Sequence, residues 1–142
     1  MASITAELIS GYQIDITNGT HTWRADEPVE LGGDDTGPNP YDLLLGSLAA
    51  CTSITLSMYA KRKDINITSL SVSYRYDRVH AEDCKNCDET HTGLVDQVTS
   101  EIFIDGDFDE DVRKRLIGIA QRCPVHKTLE NGIVFDETVW AG

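Results

Sequence analysis

Positive charge is what this chain has least of. Its 142 residues carry 12 Lys and Arg against 24 Asp and Glu, a net charge of -12 at pH 7 with histidine neutral. A surface so short of cations repels phosphate backbones and anionic headgroups, which argues against a nucleic-acid partner and against a membrane one. A basic and then apolar leader is missing too. Met1–Ser10 contains Glu7 and no Lys or Arg, so no signal peptide is expected. The most apolar stretch, from about Leu43 to Tyr59, is interrupted by Thr52, Ser53, Thr55 and Ser57. It is also short for a membrane span of roughly 20 residues. There is no internal repeat and no low-complexity tract. These absences together imply a cytoplasmic protein, where four cysteines point to catalysis or metal binding before structural disulfides.

What is present describes one globular domain over residues 1–142, with 40% hydrophobic and 25% charged residues. Gly11 and Asn18-Gly19 are turn signals that divide the start of the chain into strands Ile4–Ile9, Tyr12–Thr17 and Thr20–Ala25. Residues 26–38, rich in Asp, Gly and Pro, read as a structured loop into a helix. Beyond that helix, Ser69–Val79 alternates with Leu70, Val72, Tyr74 and Tyr76 on one face, as a half-buried strand does. Strand pattern resumes from Leu94 to Ile104, which makes residues 80–93 the tip of a long hairpin. Val112, Leu116, Ile119 and Ala120 have helical spacing between Asp109 and Arg122. A short helix is expected from Pro124 to the stop signal Asn131-Gly132, and a closing strand over Ile133–Trp140.

The helix around which the chain is organised begins at Asn39-Pro40. Asn39 suits the N-cap, Pro40 the first helical position, and Asp42 the positive end of the helix dipole. Lys61, Arg62 and Lys63 supply the opposite charge at the far end. Leu43, Leu44, Leu45, Leu48, Ala49, Ala50, Ile54, Leu56 and Met58 surround its circumference. A helix apolar on every side is expected to be buried on every side. Cys51 lies in its middle. Taken alone, a cysteine in such a setting is a small buried hydrophobe whose pKa rises above about 8.5. Cys123 precedes Pro124 at the N-cap of the later helix, where the dipole and free N–H groups favour a thiolate.

The run Gly37-Pro38-Asn39-Pro40-Tyr41-Asp42-Leu43-Leu44-Leu45-Gly46-Ser47-Leu48-Ala49-Ala50-Cys51 is followed, about 70 residues further on, by Arg122-Cys123-Pro124-Val125-His126-Lys127-Thr128-Leu129. This pair of motifs, in this order of elements, resembles the OsmC/Ohr family from about residue 20 to the end. The resemblance implies an α+β, two-layer fold with a long buried central helix, assembled as an intertwined homodimer. It further implies a thiol peroxidase acting on organic hydroperoxides in oxidative-stress defence, with no cofactor required. In that reading Cys51 is the peroxidatic thiolate and Cys123 the resolving thiol, and a dithiol such as a lipoylated protein regenerates both. The best-characterised branches of the family carry a Glu ten residues before the peroxidatic Cys. Here that position is Tyr41, with Asp42 one later. Those branches also use an Arg from the strand-rich N-terminal part, for which Arg24 is the candidate. His126, one turn into the last helix, is a substitute source of positive charge. The alternative function is a non-catalytic protein on the same fold that binds an apolar ligand or a metal.

A second constellation occupies the hairpin tip, His80-Ala-Glu-Asp-Cys84-Lys-Asn-Cys87-Asp-Glu-Thr-His91. Cys84 and Cys87 form a CxxC with one His flanking each side. Two thiolates and two imidazoles suit tetrahedral zinc, with His80, Cys84 and Cys87 the better ligands and His91 or Asp83 the fourth. The competing readings are a redox-active dithiol, although such a pair normally sits at a helix N-terminus, and an inert pair of surface residues.

Overall fold

The computed structural model describes residues 1–141. They form two compact units that meet within one helix, after Gly46. The first holds strands β1 (Thr5–Ser10), β2 (Gln13–Thr17) and β3 (Thr22–Ala25) in an antiparallel meander. Its β2–β3 turn is built by Asn18, whose Oδ1 accepts from the N–H groups of Thr20 (3.0 Å) and His21 (2.7 Å). Gly19 supplies the positive φ this turn needs. The loop that follows is organised by a buried carboxylate. Asp26 Oδ1 accepts from the Glu27 N–H (2.8 Å), and Oδ2 from the Thr36 N–H (3.0 Å) and hydroxyl (2.7 Å). Gly33 is obligatory there, because a Cβ would lie 1.9 Å from the Glu27 carbonyl oxygen.

Helix α1 (Pro40–Arg62) starts in this unit. Asn39 Oδ1 accepts from the Asp42 N–H (2.9 Å) and Asp42 Oδ2 accepts from the Asn39 N–H (3.1 Å), a reciprocal capping box. The caps carry the helix beyond its apolar middle. At 23 residues it is long and apolar enough to cross a membrane by length and composition, contrary to the shorter span expected. The central helix of a soluble protein meets the same criterion.

The second unit contains the rest of α1 and a hairpin of β4 (Asn66–His80) and β5 (Leu94–Asp107), followed by α2 (Glu110–Ala120) and α3 (Pro124–Asn131). The hairpin register runs from Asn66↔Asp107 to His80↔Leu94. Leu56, Ile104, Leu116 and Ala120 are the buried core, with Tyr59, Leu70, Ile102 and Phe108 packed around them. Asp109 caps α2 by accepting from the Val112 N–H (2.9 Å).

Two expectations do not hold within a single chain. Helix α1 buries one stripe, Leu48, Thr52, Leu56 and Ala60, a residue every fourth position. Its other apolar residues are not covered, and Met58 is 68% exposed. The expected strand over Ile133–Trp140 is irregular chain, with Val134, Phe135, Val139 and Trp140 all exposed. A strand is defined by its pairing, and no sheet among the described residues includes this segment.

Candidate active site

Two free cysteines meet between α1 and the start of α3. Helical spacing decides the first position. The buried stripe of α1 includes Thr52, so Cys51, one residue earlier, is turned partly aside and is half-buried. Pro124 decides the second. It cannot continue a preceding helix, so the chain breaks after α2 and restarts with Cys123 as the N-cap of α3. Cys123 is fully buried, and its Sγ accepts from the His126 N–H at 3.4 Å.

The sulfurs are hydrogen-bonded to each other, and their surroundings polarise them in opposite directions. Burial pushes the Cys51 thiol up, and the neighbouring Cys123 sulfur raises it further. The Val125 N–H and the Thr55 hydroxyl act the other way without offsetting this. Burial also works against a Cys123 thiolate. There, however, donors from the Cys51 thiol, the His126 N–H, the Thr52 hydroxyl and the Val125 N–H outweigh it, and the thiol is held below its ordinary range. Cys123 is therefore the more acidic of the two thiols, and Cys51 the one that holds its proton more firmly. The first N–H groups of α3 converge on both sulfurs, as the orphan donors of a helix N-terminus do for an anion.

A polar chain supports this pair. The Thr52 hydroxyl lies 2.9 Å from Tyr74 Oη, which reaches inward from β4. Tyr74 also lines a cavity of about 320 Å³ with Leu48, Val98, His126 and Leu129. A larger cleft of about 720 Å³ opens past Thr55, the hydroxyl partner of Cys51, along Met58, Tyr59 and Ile119. Two free thiols side by side, with donors that favour a thiolate on one of them, can perform nucleophilic and thiol–disulfide chemistry.

The comparisons with known proteins agree with this architecture. The family model described as OsmC-like protein matches residues 32–138. The chain belongs to the OsmC-like family. Similar solved structures include an OsmC-like protein from Mycoplasma pneumoniae, at 24% identity over 92% of this chain and 87% of that one, with a TM-score of 0.69. The organic hydroperoxide resistance protein OhrB of Bacillus subtilis is 25% identical over 89% of this chain and 88% of its own, with a TM-score of 0.58. An organic hydroperoxide resistance protein OsmC from Legionella pneumophila is 20% identical over 89% and 87%, with a TM-score of 0.61. Among curated proteins no sequence matches. The α+β fold expected from the resemblance is the fold these structures share.

Of the residues singled out in this OsmC-like sequence, Cys51 and Cys123 are brought together. His126 takes part through its backbone N–H, while its side chain is exposed on the wall of the smaller cavity. Arg24 is engaged on its own sheet, where it faces Asp15 across β2–β3 in a bidentate ion pair of 2.8 and 3.2 Å. Asp42 is committed to the capping box. Cys84 and Cys87 form a disulfide, so neither is a thiolate ligand in this state. His91 instead pairs with Asp88, its Nδ1 2.9 Å from Oδ1. Sequence reading missed Thr52, Thr55, Tyr74 and the Val125 amide. Thr55 was accessible from its spacing, four residues after Cys51 on the helix. Nothing local ties Tyr74 to Thr52, 22 residues apart.

Proposed function

We propose that the chain is a thiol-dependent peroxidase that reduces organic hydroperoxides at Cys51 and Cys123, in oxidative-stress defence. The observation that carries this reading is the hydrogen-bonded pair itself, one sulfur accessible and the other buried at a helix N-cap. The names of the Bacillus and Legionella structures support the substrate class.

Access and charge divide the work between the two sulfurs. Cys123 has 0% exposure, so an incoming peroxide meets Cys51. The neighbouring Cys123 thiolate is the base that takes the Cys51 proton. The Cys51 thiolate then attacks the terminal peroxide oxygen, the O–O bond breaks, and the departing alkoxide recovers the proton held by Cys123. Cys51 is left as a sulfenic acid and Cys123 as a thiolate. Attack of Cys123 on the Cys51 sulfur expels hydroxide, which is protonated to water, and forms the disulfide. A dithiol, such as a lipoylated protein, reduces it by exchange. The cleft past Thr55 sets an apolar wall of Met58, Tyr59 and Ile119 beside Lys61, Arg62 and Arg122, and that wall offers an alkyl or aryl hydroperoxide a surface that hydrogen peroxide cannot use. No cofactor enters these steps. The uncovered face of α1 and the exposed tail support a homodimer as the working form.

The test is consumption of an aryl hydroperoxide and of hydrogen peroxide by the purified chain, with dithiothreitol or a lipoyl dithiol as reductant. Turnover with preference for the organic peroxide, lost on Cys51→Ser, is expected. Cys123→Ser is expected to stop at a sulfenic acid that dimedone traps. A wild-type chain inactive with every dithiol would overturn the reading and leave a binding protein on the same fold.

A further inference from the structure

The hairpin tip contains a second set of sulfur and nitrogen donors that peroxide chemistry does not use. Its ends are pinned. His80 is the last residue of β4 and pairs with Leu94, and the Ala81 N–H donates to the Gly93 carbonyl at 2.8 Å. Within this closed loop Cys84 and Cys87 are joined, with their Cα atoms 5.4 Å apart, so the fold already holds the two sulfurs side by side. His80 and His91 line one cavity of about 320 Å³. His91 Nδ1 faces the Asp88 carboxylate at 2.9 Å. The Asp88 N–H also points at His91 Nδ1, at 3.2 Å, so Asp88 engages that ring nitrogen twice and Nε2 is the one presented to a metal, as where a carboxylate orients a metal-binding imidazole. Gln97 reaches from β5 to Cys84, with Nε2 3.8 Å from Sγ. No α-helix begins at this CxxC, so the feature that activates redox dithiols is missing. While the disulfide is closed, no three His, Cys, Asp or Glu among the described residues stand together as a metal-holding group.

We propose that the tip is a redox-gated zinc site. Reduction of Cys84–Cys87 assembles a tetrahedral set of His80, Cys84, Cys87 and His91 around Zn²⁺, and oxidation dismantles it. In the opening step a dithiol breaks the S–S bond and becomes a disulfide itself, leaving two thiols on the tip. Zinc binding forms two Zn–S bonds and releases the two thiol protons. In the reverse direction a hydroperoxide accepts two electrons from the thiolates and two protons from solvent. The products are an alcohol, water, the tip disulfide and free Zn²⁺. Two sulfurs and two imidazole nitrogens match the preference of zinc for four mixed N and S ligands.

The experiment uses a Cys51→Ser/Cys123→Ser chain, so that a failure of the peroxidase reading does not affect it. One sample is reduced with a phosphine, one is oxidised with an aryl hydroperoxide. Each is offered ZnCl₂ and then desalted for metal analysis. One zinc per chain in the reduced sample and none in the oxidised one is expected. Added Cys84→Ser/Cys87→Ser is expected to abolish binding, and Asp88→Asn to weaken it by roughly 10-fold through His91. Substitution with Co²⁺ should give the absorption of a tetrahedral thiolate site. The idea fails if the reduced chain holds no zinc, or if oxidation or loss of both tip cysteines leaves zinc content unchanged.

Discussion

Cys51 and Cys123 each set the acidity of the other. The Cys123 sulfur raises the Cys51 thiol, whereas the Cys51 S–H lowers Cys123. Removing either should therefore move the survivor in a known direction. In Cys123→Ala the midpoint for iodoacetamide alkylation of Cys51 should shift to lower pH. In Cys51→Ala the thiolate titration of Cys123 should shift to higher pH. Alkylation rates by mass spectrometry check the first and ultraviolet thiolate absorbance, which needs no access to the buried sulfur, the second; unchanged midpoints would show that the sulfurs do not communicate. Asp26 makes the second residue-scale case. The Thr36 hydroxyl chiefly, and then the Thr36, Glu27 and Asp34 backbone, hold its carboxyl below the usual range despite burial. A depressed folded pKa contributes stability above the unfolded value of about 3.9. That stability disappears as pH falls through the lower folded value. Thermal melts from pH 7 to pH 2 should show a steeper loss in wild type than in Asp26→Asn, which is less stable than wild type at pH 7.

Elements here are positioned mainly by their ends. The reciprocal bonds of Asn39 and Asp42 fix where α1 begins, and hence which of its residues face inward. Asn39→Ala should cost about 1 kcal/mol, the usual value of a lost N-cap. Leu56 is completely buried where α1 meets Ile104, Leu116 and Ala120. Leu56→Ala should cost about 2–5 kcal/mol, the range for a leucine deleted from a packed core. Urea unfolding of both variants provides the measurement. A smaller loss for Leu56→Ala than for Asn39→Ala would contradict the core described above. Helix α3 shows the same logic applied to function, because Pro124 determines both its start and the delivery of its N–H groups to the sulfurs.

At the scale of the molecule the chain leaves apolar surface uncovered. Ile54 and Met58 on α1 and Phe135 and Trp140 in the tail are more than half exposed. The proposed homodimer would cover this surface and account for an α1 sequence apolar all round. Sedimentation should give twice the 15.7 kDa chain mass. Ile54→Lys/Met58→Lys should shift the mass toward one chain. With a net charge of -12 per copy, association should tighten as salt shortens the screening length from about 30 Å at 0.01 M to about 8 Å at 0.15 M. A monomer at micromolar concentration in 0.15 M salt would remove the dimer from the proposal.

The sequence by itself determined the local features. Asn18-Gly19, Asn39-Pro40, Asp109 and Cys123-Pro124 place turns and caps through interactions within a few residues. The strand and helix periods of β4 and α2 follow from which side chains must leave water. The two cysteine motifs also identified the family. Only the tertiary structure decided the rest. It set Thr52 against both Cys123 and Tyr74, and returned Arg24 to Asp15. Each of these depends on groups that meet only when separate elements pack or pair, which no local pattern encodes. Burial of α1 and pairing of the last segment belong to the same class. The apolar circumference of α1 and the strand pattern over 133–140 are legible in the sequence, but the fold of the chain covers one stripe of the helix and leaves the segment irregular.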